Sequence, residues 1–123
     1  DPKPVDDPTV YVCAPDDVAM RPDAGHESWF VLVNAPRHST TGERGTVDWT
    51  VPGLAQSYRD RVLAVMASRG YDVRDRLLWS EIRTPADLEH STRAPGGSIY
   101  GTSSNGPRAA FLRPANASPT GFR

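Results

Sequence analysis

"VPGLAQSYRDRVLAVMASRGY", residues 51–71, places Leu54, Tyr58, Val62 and Met66 four residues apart, with Leu63 and Val65 flanking them. That recurrence is the signature of a helix with one apolar stripe. Arg59, Asp60 and Arg69 fall on the other face, and Gly70 stands where a left-handed residue closes a helix. At helical spacing Tyr58 and Met66 read as core packing, not as a ligand-facing stripe. One long helix that must bury one face fixes the rest of the reading, because something else in the chain has to supply the layer it packs on.

Upstream, "PTVYVCAP" (8–15) and "SWFVLVNAPR" (28–37) are short β-branched and aromatic runs bounded by proline. They read as two buried strands, each stopping at its Ala-Pro because proline cannot donate to a ladder. The intervening loop carries Asp16, Asp17 and Asp23 in a register that matches no calcium loop, so it reads as a solvated turn. Downstream, "RDRLLWSEIR" (74–83) is expected to form a third strand. "TPADLEHS" then opens a short helix, with Thr84 as cap, Pro85 at the first helical position and Asp87 at the third. The predicted class is α+β: a partial mixed or antiparallel sheet covered on one face by one long and one short helix. No internal linker divides residues 1–123, so they read as one partial domain.

Composition narrows the function. The chain has 123 residues and is 37% hydrophobic, enough for one core. No apolar run approaches the roughly 20 residues of a membrane-spanning helix. A net charge of −1 lacks the one-sided basic footprint of a nucleic-acid binder. Cys13 is the single cysteine, which excludes an internal disulfide and gives a reducing, cytoplasmic setting as the default. In its strand pattern Cys13 reads as a small apolar group. The start, "DPKPVDDPTV", is polar and proline-rich and reads as the inside of a longer chain.

The glycine-rich end, "APGGSIYGTSSNGPRAAFLRPANASPTGFR" (94–123), resembles the approach to an active site but completes no motif. Gly101 and Gly106 have phosphate-loop spacing, yet Pro107 and Arg108 stand where Lys and Ser or Thr are required. A nucleophile elbow around Ser98 or Ser103 would need glycine at Tyr100 or Asn105. A dinucleotide fingerprint occurs nowhere in the chain. His26, His38 and His90 are scattered without metal-site spacing and read as solvent-exposed or turn-associated. Arg113, in the apolar run "AAFLRPAN", either pairs with an anion or carbonyls or reaches solvent from an edge strand. These residues identify no catalytic group and no metal site.

Taken in order, "DDPTVYVCAP", "ESWFVLVNAPR", "VPGLAQSYRDRVL", "RTPADLE" and "GGSIYGTSSNGPRAAFLRPANAS" resemble the phytoene desaturase-like enzymes, the FAD-dependent carotenoid desaturases of the flavin amine-oxidase fold. The similarity runs from about Asp7 to Arg123, and its most specific parts are the G-x-I-Y-G and F-L-R-P-x-N pieces. The resemblance implies a segment of the substrate domain of a larger two-domain flavoprotein, just before that protein returns to its FAD domain. It implies Tyr100, Gly101, Arg113, Pro114 and Asn116 as flavin-proximal residues in the parent. It also implies removal of hydride from a long polyene with FAD as acceptor, no flavin held by this segment alone, and the rest of the parent chain as partner. A parent lying at a membrane surface is compatible with it. The competing reading is a self-sufficient module that binds an apolar ligand or partner without redox chemistry.

Overall fold

A computed structural model describes residues 3–100. Four short strands, β1 (Val10–Cys13), β2 (Phe30–Val33), β3 (Arg37–His38) and β4 (Thr46–Val47), precede the helices α1 (Leu54–Ser68) and α2 (Pro85–Thr92). The class is α+β, as the sequence predicts. The strands form two separate pairs, antiparallel β1–β2 and a two-residue parallel bridge β3–β4.

The long helix is where its periodicity puts it. Val62, Val65 and Met66 are buried, and Leu54, Tyr58 and Leu63 are half-buried along the same stripe. Its end is a complete left-handed closure. Tyr71 N–H donates to the Met66 carbonyl at 2.9 Å and Gly70 N–H to the Ala67 carbonyl at 3.0 Å, with Gly70 at φ 90°. These are the two bonds of a Schellman motif, and they require the positive φ that glycine adopts without strain. The amino-terminal strap, with Pro4 and Pro8 buried, is tied along this helix. Arg61 Nε donates to the Asp6 carbonyl and Arg69 Nη2 to Asp7 Oδ1, both at 2.7 Å.

The short helix also begins as its sequence dictates. Asp87 N–H donates to Thr84 Oγ1 at 3.2 Å while Thr84 N–H donates to Asp87 Oδ2 at 2.8 Å, a reciprocal capping box. The Thr84 hydroxyl bond, followed by the Thr84 backbone bond, holds the Asp87 carboxyl below the ordinary carboxylate value. A lowered carboxyl pKa stabilises the fold above the unfolded value, and that contribution fades as pH falls through the folded one.

The glycine pair Gly96–Gly97 locks α2 against β3. A Cβ on Gly97 would lie 2.0 Å from the Pro85 carbonyl oxygen, and one on Gly96 would lie 3.0 Å from Arg37 Cβ. These glycines are therefore consumed by backbone contact inside the fold.

Two expectations change in detail. Over 74–83 the chain makes a 3-10 turn at Arg74–Arg76 and then runs on without pairing, because no strand edge lies beside it among the described residues. Arg74 and Arg83 bind Asp72 and Glu81 locally, and Leu78 and Trp79 stay more than 70% exposed at 77% and 75%. The strands β1 and β2 form as expected, but Tyr11 and Phe30 are 56% and 61% exposed, so they are not buried among the described residues.

Replacing Gly97 by Ala is expected to cost about 3 kcal/mol or more, combining left-handed strain with overpacking against Pro85. Gly45→Ala, at φ 78° with nothing within 4 Å, should cost only the strain, about 1–2 kcal/mol. Urea unfolding of both variants decides it; equal losses would show that Gly97 is not held by close packing.

Candidate functional site

The sites of interest hang from the indole of Trp49, which is 6% exposed. Its Nε1–H donates to the Pro36 carbonyl at 2.9 Å and its backbone N–H to His38 Nδ1 at 3.2 Å. Its ring meets Tyr58 of α1 at 5.8 Å between centroids, tilted by 58°. One side chain thus joins the end of the β2 segment, the β3 bridge and the long helix. His38, expected at the surface, is largely enclosed by this arrangement, with its side chain 11% exposed. Burial raises the Tyr58 phenol pKa, with the Asp6 charge adding to it. The Tyr58 hydroxyl has no hydrogen-bond partner among the described residues.

On the β1–β2 ribbon, Thr9, Tyr11, Leu32, Asn34 and Tyr100 line a shallow open depression of about 350 Å³. Tyr11 and Leu32 are direct cross-strand partners, so their side chains stand together on one face. Tyr100 is 78% exposed, and its carbonyl accepts a hydrogen bond from the Ser98 hydroxyl. The lining is aromatic, aliphatic, hydroxyl and amide, with no carboxylate, imidazole or ammonium group in it. Such a surface can hold an apolar body by shape and dispersion.

A second depression of about 370 Å³ is lined by Arg59, Asp60, Leu63, Arg74 and Leu77. Its cations are already matched, Arg59 by Asp60 at 2.7 Å and Arg74 by Asp72 at 2.8 Å. His26 sits against Asp23 in the exposed acidic loop, and the described residues contain no cluster of three metal-ligating side chains. No helix among them is long and apolar enough to cross a membrane.

Of the residues that the resemblance implies to be flavin-proximal, Tyr100 lies in the ribbon depression. Gly101, Arg113, Pro114 and Asn116 fall outside the described residues. Gly96 and Gly97 do not fit a flavin pyrophosphate: the space such a group would need beside Gly97 is filled by Pro85, and beside Gly96 by Arg37 and His38. Sequence reasoning missed Trp49 and His38, whose roles depend on partners 11 and 13 residues away. The ribbon face could have been found from the alternation of Tyr11 with valines against Leu32.

Over most of its length the chain is similar to carotenoid and phytoene desaturases. It is 33% identical over 116 residues to a carotenoid 3,4-desaturase of Haloarcula japonica, covering 92% of this chain and 21% of that protein. It is 31% identical over 121 residues to a 1-hydroxycarotenoid 3,4-desaturase of a Flavobacterium strain, covering 94% and 22%. A 4,4'-diapophytoene desaturase of Staphylococcus haemolyticus is 27% identical over 119 residues, covering 92% and 22%. The chain thus spans about a fifth of the length of these relatives. No family model matches it, and no solved structure matches it.

Trp49→Phe keeps an aromatic ring but removes the donor to Pro36, and is expected to cost about 1–3 kcal/mol by leaving that carbonyl unmatched. Trp29 and Trp79 are far more exposed, at 38% and 75%, so the variant should also lose the quencher-protected part of the indole fluorescence. Unchanged stability with the protected component intact would mean that Trp49 does not tie the Pro36–His38 stretch to the helix.

Proposed function

We propose that this chain is part of the substrate domain of an FAD-dependent desaturase acting on a long apolar polyene, phytoene- or carotenoid-like, and that it is inactive alone. The observation that carries the reading is the similarity to three differently named desaturases over more than nine tenths of the chain. The ribbon supports it. Tyr11, Leu32 and Tyr100 offer an apolar surface of the kind that can help to hold a polyene, and a cofactor-driven dehydrogenation asks the protein for orientation and dry surroundings more than for a catalytic triad. The flavin is assigned to the rest of the parent protein, together with Gly101, Arg113, Pro114 and Asn116 as residues near it. Tyr100 is assigned to the flavin-facing end of the ribbon. A parent working at a membrane surface is part of the same reading, since a polyene of this length partitions into lipid.

Purified by itself, the chain should carry no flavin. The complete polypeptide that contains it should purify with one flavin per chain and add double bonds to a polyene supplied in lipid vesicles. Stoichiometric flavin on the isolated chain would overturn the division of labour. A folded, flavin-free complete protein would overturn the desaturase reading and favour a self-sufficient apolar-ligand module.

A further inference from the structure

The ribbon β1–β2 has a composition at odds with its surroundings. Its register pairs Val10 with Val33, Tyr11 with Leu32, Val12 with Val31 and Cys13 with Phe30. Because side chains alternate along a strand, Val10, Val12, Val31 and Val33 share one face, and Tyr11, Cys13, Phe30 and Leu32 share the other. All eight residues are apolar, and none is buried. A ribbon that meets water on one face normally carries polar residues there; apolar residues on both faces belong to strands covered on both sides. Free edges are normally guarded by charge, proline or a bulge, yet neither four-residue strand holds a charged residue or a proline. Among the described residues, each strand has the other as its sole ladder neighbour.

We propose that β1 and β2 are inner strands of a larger sheet, paired along their outer edges and covered on both faces by another part of the parent polypeptide, with the polyene lying between that cover and the Tyr11–Leu32 face. This rests on the desaturase reading for the identity of that partner. Nearly four fifths of each relative lies outside the segment this chain matches, which is ample polypeptide to supply further strands and two covering layers. A two-stranded ribbon is at best marginally stable in water by itself, so the remaining strands also give the pair its stability.

Phe30→Lys on one face and Val31→Lys on the other, with Val18→Lys at an 82% exposed site off the ribbon as control, test this in two settings. In the isolated chain all three should leave helix content and the protected Trp49 emission unchanged, because none of these side chains is buried there. In the complete polypeptide, Phe30→Lys and Val31→Lys should each lower the yield of folded protein by roughly tenfold or more, since each would bury an unpaired charge, while Val18→Lys leaves it unaltered. Normal yield of both ribbon variants in the complete protein overturns the proposal. Sensitivity on one face alone also overturns it, leaving an ordinary amphipathic ribbon. A native chain that sediments as a dimer and is made monomeric by the ribbon variants, with the complete protein indifferent to them, overturns it in favour of a second copy. Flavin content of the complete protein is read separately, so a flavin-free parent that collapses with lysine in the ribbon would refute the desaturase reading and keep the sheet.

Discussion

Trp49 is the constraint on which the described structure depends. Its indole N–H fixes the Pro36 carbonyl, its backbone N–H fixes His38, and its ring leans on Tyr58, so the Pro36–His38 stretch and helix α1 are tied at one buried residue. Each hydrogen bond is modest alone, about 1 kcal/mol net. Together with the burial of Val47, Val62, Val65 and Met66 they define a small core. The glycine pair extends that core by letting α2 approach β3 at backbone distance. Everything outside it, the ribbon and the apolar run Leu77–Trp79 above all, is attached to the core without being covered by it.

Much of that core was legible in the residues because its signals are local. The four-residue spacing from Leu54 to Met66, Gly70 at the helix end and Thr84-Pro85-x-Asp87 at the next helix start each act within one or two turns. The third strand was not legible, because a strand exists only where another strand lies beside it, and residues 74–83 have apolar character without such a neighbour here. His38 and Trp49 were missed for the same reason, since their hydrogen bonds are set by the fold and not by spacing. The burial of β1 and β2 was read from composition. That reading holds for these strands as elements and fails for their surroundings in this chain.

The glycines at 96 and 97 carry a similar lesson for function. A glycine-rich stretch ahead of an apolar run invites a phosphate- or flavin-binding interpretation, but the positions a side chain would take are filled by Pro85, Arg37 and His38. The feature of the described residues that suits the desaturase family is the uncovered apolar ribbon with its Tyr11–Leu32–Tyr100 depression. The similarity to desaturases and the exposed ribbon fit one proposal: a segment of a larger protein that folds a small core of its own and presents the rest of its apolar surface for completion.

Amide hydrogen exchange on the isolated chain tests that account most directly. The account predicts slow exchange at Val62, Val65 and Met66 in α1 and at Trp49, whose N–H is held by His38, with fast exchange along 10–13 and 30–33, where the ribbon lacks its neighbours. Protection of the ribbon amides equal to that of α1 would contradict it, because the ribbon would then be complete within this chain.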